Sequence, residues 1–132
     1  MVSSVTSSAL SGLSAASKRV QVAANNISNG LTVGKPNSTD PSEQAYKAQE
    51  VQQSTGEFGG VQTRVIERDP ATQTAYNPNS PLADSSGLVE TPNVDLGEEM
   101  VNMITAESSY KANAAVLRTN EDLEREVLDI VS

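Results

Sequence analysis

Between Ala9 and Ile27 the apolar residues recur at Ala9, Leu13, Ala16, Val20, Ala23 and Ile27. These alternating steps of four and three place all of them along one side of a helix. The stripe is narrow and half of it is alanine, so a second helix can approach closely, but the buried area is too small to hold a lone helix together. Asn29-Gly30 supplies a stop, because both residues accept the left-handed backbone that ends helices.

Helical periodicity returns at Asp95, with Leu96, Met100, Met103, Ile104, Tyr110, Ala114 and Leu117 along one apolar side. Asp95 suits the cap position, and Glu98 three residues later completes the pattern of a capping box. Glu98 and Glu99 also suit the positive end of the helix dipole. Beyond Leu117 a strict heptad puts Glu121 and Glu124 on the seam, whereas Leu123, Val127 and Ile130 continue a shifted stripe. A change of neighbour and a gentle drift of the helix explain this equally well.

From about Gly30 to Asn93 the character changes. All six prolines lie here, among Gly, Asn, Ser, Thr and Gln, with only short apolar patches. Val61, Thr63 and Val65 alternate, and Asp69-Pro70 and Asn77-Pro78 then interrupt the chain, which allows at most one or two short strands. The expected fold is mainly α. Helices over 1–29 and 94–132 pack as an antiparallel coiled-coil-like pair, joined by a Gly/Pro-rich region over 30–93.

Composition narrows the function. Only 36% of the 132 residues are hydrophobic and 3% aromatic, so a small, weak core is expected and partners are expected to complete it. The net charge of −8, with nine scattered Lys and Arg, argues against nucleic acid or an anionic membrane surface as partner. No signal-peptide-like or membrane-spanning apolar run is present, so no direct membrane insertion is expected.

There is no Cys and no His, which removes disulfides, the thiol nucleophile and the commonest general base and zinc ligand. No phosphate loop, nucleophile elbow or calcium loop is found, and Asp95, Glu98 and Glu99 are more simply helix-start residues than a carboxylate pair. The expectation is a non-enzyme with no cofactor and no metal.

Two segments are more specific than amphipathic helices. The first contains Ser11-Gly12-Leu13 and Ala24-Asn25-Asn26-Ile27; the second contains Asn93-Val94-Asp95, Glu99-Met100 and Tyr110 with Asn113. Together they resemble the terminal motifs of the flagellar basal-body rod protein family. Gly60-Val61, Asp69-Pro70 and the run from Tyr76 to Asp95 look like that family's short proximal-rod members, of the C type, so the resemblance spans nearly the whole chain. Ser28 departs from the family's usual Ala, and Glu107-Ser108-Ser109 from a segment that usually carries Arg.

The resemblance implies a structural subunit that is exported through the flagellar secretion channel and polymerises into the proximal rod across the periplasm. The implied partners are copies of itself, other rod subunits, the export apparatus and the base of the basal body. The expected assembly interface comprises Leu13, Val20, Asn25, Asn26, Ile27, Met100, Ile104, Tyr110, Asn113 and Leu117. Within it, Leu13, Val20 and Ile27 are expected to pack on Met100, Ile104 and Leu117.

Asn25 and Asn26 suit either local capping at the helix end or a bridge to a neighbouring subunit. Tyr110 and Asn113 suit either a polar subunit contact or a core tyrosine beside a solvated neighbour. The alternative function is a secreted coiled-coil adaptor that binds a partner without polymerising.

Overall fold

A computed structural model describes residues 2–57 and 59–131. The element order is α1 (Val2–Asn29), β1 (Gln49–Thr55), β2 (Val61–Glu67), β3 (Thr72–Tyr76), β4 (Leu88–Pro92) and α2 (Leu96–Val131). At 1.5 Å per residue the helices are about 42 and 54 Å long.

α1 and α2 pack antiparallel, in a register marked by three polar or close contacts. Asn26 bonds Glu99, Gly12 lies against Asn113, and Asn120 reaches Thr6. On α2 the positions facing α1 are therefore Glu99, Ala106, Asn113 and Asn120, a strict heptad, with Ala106 fully buried. On α1 the buried residues are Ala9, Ala15, Ala16, Val22, Ala23 and Asn26. Small side chains allow the close approach, and Gly12 is the extreme case: a Cβ there would meet the Asn113 side chain at 2.5 to 2.7 Å.

α2 begins as its sequence suggests. Asp95 Oδ1 accepts the Glu98 N–H at 3.1 Å, and the Asp95 carbonyl accepts the Glu99 N–H at 3.0 Å.

The middle of the chain corrects the expected fold. It holds four strands in two antiparallel hairpins, β1–β2 and β3–β4, so the chain is two long helices with a small β region and not a mainly α pair with one or two strands at most. β1 reads QEVQQST, with one apolar residue, and both strands of its hairpin are largely exposed. β2 carries the alternation of Val61, Thr63 and Val65, whereas β1 has none and is defined by its backbone pairing with β2.

Turn chemistry marks the ends instead. Gly59 and Gly60 have positive φ at one turn and Gly87 at the other. Asp84 Oδ1 accepts the Ser86 and Leu88 N–H groups to shape the second.

The two hairpins are tied through Ala48 and Ala71. The Ala48 N–H donates to the Ala71 carbonyl, the Arg68 N–H to the Ala48 carbonyl, and the Asn93 N–H to the Ala71 carbonyl. Gly34 pairs with Glu90 in both directions, which joins the segment after α1 to β4. The β1–β2 hairpin lies along α1, where the Val61 N–H donates to Ser11 Oγ at 3.0 Å. Buried Ala45, Ala48, Val89 and Pro92 form the small core of this region.

Candidate assembly surfaces

Asn26 sits where α1, α2 and β1 meet, and it is completely buried. Its Nδ2 donates to the Gln49 carbonyl at 2.8 Å and to Glu99 Oε1 at 2.9 Å. Its Oδ1 accepts the Tyr46 hydroxyl at 3.0 Å and the Gln49 N–H at 3.1 Å. Both donors and both acceptor sites of the amide are thus used.

Glu99, 2% exposed, is held through the same oxygen by Arg68, whose guanidinium donates to Oε1 at 2.8 Å and to the Asn93 carbonyl at 3.3 Å. A buried carboxylate needs such a partner, because removing one side of the pair strands the other charge out of water. Tyr46 is pushed above the ordinary tyrosine value by burial and secondarily by the Glu99 charge. The network fastens the β region to the helical pair at one point.

Both readings of Asn26, a local cap or a bridge to another subunit, give way to this bridge within the chain. Asn25 is exposed, and its carbonyl accepts the Asn29 side-chain N–H at 2.9 Å. Leu13, Val20 and Ile27 are half-buried, as is Leu117. Met100 and Ile104 are 58% and 64% exposed. The expected packing of α1 on Met100 and Ile104 is therefore corrected within the chain: the α1 side of α2 is taken by Glu99, Ala106, Asn113 and Asn120.

Tyr110 is largely exposed, and Asn113 faces Gly12 while donating to the Ser109 carbonyl at 2.8 Å. Tyr46, Arg68 and Asn120 carried no signal that marked them in the sequence, and Glu99 read as a helix-dipole residue. A buried acid is visible from sequence only when its cation can be paired with it, and Arg68 lies 31 positions away.

Two apolar surfaces remain open on α2. The first holds Leu96, Met100, Val101 and Ile104; the second holds Val116, Leu123, Val127, Leu128 and Ile130, whose neighbours Glu121, Asp122, Glu124 and Glu126 are acidic. Apolar side chains exposed in such groups mark binding surfaces more often than free solvent faces. Beside the Glu99 junction lies a polar cleft of about 350 Å³, whose lining includes Arg19, Glu50, Arg68 and Asn102. Among the described residues no group of three acidic side chains could hold a metal ion, and no helix is long and apolar enough to cross a membrane.

Comparison with known proteins matches both helical ends. Residues 7–34 fit the family model described as flagella basal body rod protein, and residues 85–130 fit the model of the flagellar basal body rod FlgEFG protein C-terminal region. The flagellar basal-body rod protein FlgC of Yersinia enterocolitica is 43% identical over an alignment of 119 positions, gaps included, that covers 86% of this chain and 85% of that protein. FlgC of Salmonella typhimurium is 43% identical over 115 residues, 83% and 82% of the two chains. FlgC of Borreliella burgdorferi is 32% identical over an alignment of 146 positions, gaps included, that covers 93% of each chain. With paired terminal matches and relatives that align along nearly their whole length, the chain belongs to the flagellar basal-body rod protein family.

Proposed function

We propose that this chain is a non-catalytic structural subunit of the bacterial flagellar basal-body rod, of the proximal C type, and that it polymerises through its terminal helices. One observation carries the reading. The two segments that match the rod models are the two helices that pack on each other, and α2 keeps two apolar surfaces open after that packing.

A subunit built this way holds its own fold through a small-residue helix contact and the Asn26–Glu99–Arg68 junction. Met100, Ile104 and Tyr110 are then left for neighbours, and surfaces of this kind, which differ from one another, propagate an assembly instead of closing it. Export through the flagellar channel and a position across the periplasm belong to the same proposal. The absence of Cys suits it, because no thiol is exposed to oxidation after export.

Swimming tests the proposal. Cells that lack their own proximal rod subunit and express this chain should regain motility on soft agar. Cells that express the chain stably and remain immotile, with the protein released as a soluble species, would instead identify an adaptor.

A further inference from the structure

We propose that the acidic end of α2 docks on the outward face of α1 in a second copy of this chain, displaced along the helix axis. The inference deepens the rod reading and rests on it.

The end of α2 carries a second seam. Beyond Asn120, which meets the chain's own α1 at Thr6, Leu123, Val127 and Ile130 follow steps of four and three, as a helix that meets another helix requires. The large apolar members of this seam are exposed, with Ile130 at 80%. On α1 the side turned away from both α2 and the β1–β2 hairpin carries Leu10, Ser14, Ser17 and Gln21, again in steps of four and three, all exposed. Ser14 and Ser17 are small and leave gaps between Leu10 and Gln21, into which large side chains from a facing helix can insert.

Charge selects the same pair of surfaces. α1 contains Lys18 and Arg19 and no acidic residue, whereas residues 121–129 contain Glu121, Asp122, Glu124, Glu126 and Asp129 against a single Arg125. Lys18 has a hydrogen bond to Gln21 at 3.0 Å and no ion pair among the described residues, and neither Glu121, Asp122 nor Glu126 has a described ionic partner. Opposite charges flanking an apolar seam set partner and register.

Within one chain this pairing is out of reach. The register that sets Gly12 against Asn113 places residue 18 opposite residue 107. Glu126 is then 19 positions further along α2, about 28 Å at 1.5 Å per residue. A second copy in the same orientation, displaced by that distance, presents its α1 antiparallel to the first copy's α2. Lys18 then faces Glu126, Ser17 faces Val127 and Gln21 faces Leu123. The contact uses different surfaces on the two copies, so it repeats.

The chain has no cysteine, so disulfide trapping is clean. Cells would co-express Ser17→Cys and Val127→Cys variants as their only copies, and basal bodies would be isolated and oxidised. Gln21→Cys with Leu123→Cys is a second pair in the same register. A disulfide-linked dimer should form when both members of a pair are present and not with either alone. Adding Lys18→Glu to both members should reduce it at least about tenfold, and adding Glu126→Lys as well should restore it. If both pairs enter basal bodies and neither gives a dimer, the docking is wrong while the rod reading stands. If the cysteine-free parent is itself absent from basal bodies, the rod reading fails and the docking with it.

Discussion

Asn26 Nδ2 and Glu99 Oε1 lie 2.9 Å apart, although 73 positions separate the two residues in the chain. The bond closes the helical pair at the end where the β region attaches, and through Arg68 it also holds the Asn93 carbonyl, just past the end of that region's second hairpin. Asn26→Ala removes the centre of four hydrogen bonds and leaves the Gln49 N–H and the Glu99 carboxylate short of partners. We expect a loss of about 3 kcal/mol in denaturant unfolding, the scale of stranding buried polar groups. A loss no larger than that of an exposed Asn25→Ala change would show that the junction does not hold the fold together.

Gly12 and Asn113 form the closest approach of the two helices. Gly12→Ala gains roughly 1 kcal/mol in helix propensity, but its Cβ needs the space occupied by the Asn113 side chain. Alone, the substitution should be neutral or destabilising; combined with Asn113→Ala it should recover the propensity gain. A double-mutant cycle measured by thermal unfolding should give a coupling of about 1 kcal/mol, and simple additivity would place the helices further apart.

Gly34 faces a less yielding neighbour. A Cβ there would collide with the Ala45 backbone, and the backbone cannot swing aside as a side chain can. Gly34→Ala should break the two bonds to Glu90 and cost about 3 kcal/mol, with hydrogen exchange at the Gly34 and Glu90 amides rising before exchange in α1.

Tyr46 makes stability fall at alkaline pH. Its folded value is raised by burial and by Glu99, so below the ordinary tyrosine value of about 10 both states keep the proton and nothing changes. Above that value the unfolded chain releases the proton while the folded chain retains it, and stability declines until the folded value is passed. Tyr46→Phe should remove this decline, together with the most alkaline part of the phenolate absorbance titration.

Met100 and Ile104 separate folding from assembly. Both are exposed, so Met100→Ser with Ile104→Ser should change the stability of the isolated chain by no more than about 0.5 kcal/mol per site. Incorporation into basal bodies, followed by quantitative immunoblot, should drop at least about tenfold if this surface meets a neighbour. Normal incorporation would remove that face of α2 from the interface.

The contrast between these residues explains what the sequence could reveal. Ala9, Ala16 and Ala23 recur at helical spacing and all three are buried, because periodicity reports a face that must be covered. It does not say by what. The apolar members of α2, Met100 and Ile104, stand outside the chain's own helix contact, while the polar Glu99, Asn113 and Asn120 stand inside it, since small partners on α1 leave room for hydrogen-bonded side chains. Of the first hairpin, β2 was legible in the alternation of Val61, Thr63 and Val65, whereas β1 was hidden: QEVQQST has almost no apolar payload, and its strand geometry comes from pairing with Val61–Glu67. Arg68 was invisible as the partner of Glu99 because nothing in local spacing joins them.

Whether this chain is an integral rod subunit is tested most directly by fractionation. Basal bodies would be purified from cells that carry this chain as their only proximal C-type subunit, and washed with detergent and high salt. The chain should remain with the basal bodies in constant ratio to the other rod proteins. Recovery of the chain in the wash, with basal bodies that lack a rod, would contradict an integral place in the rod.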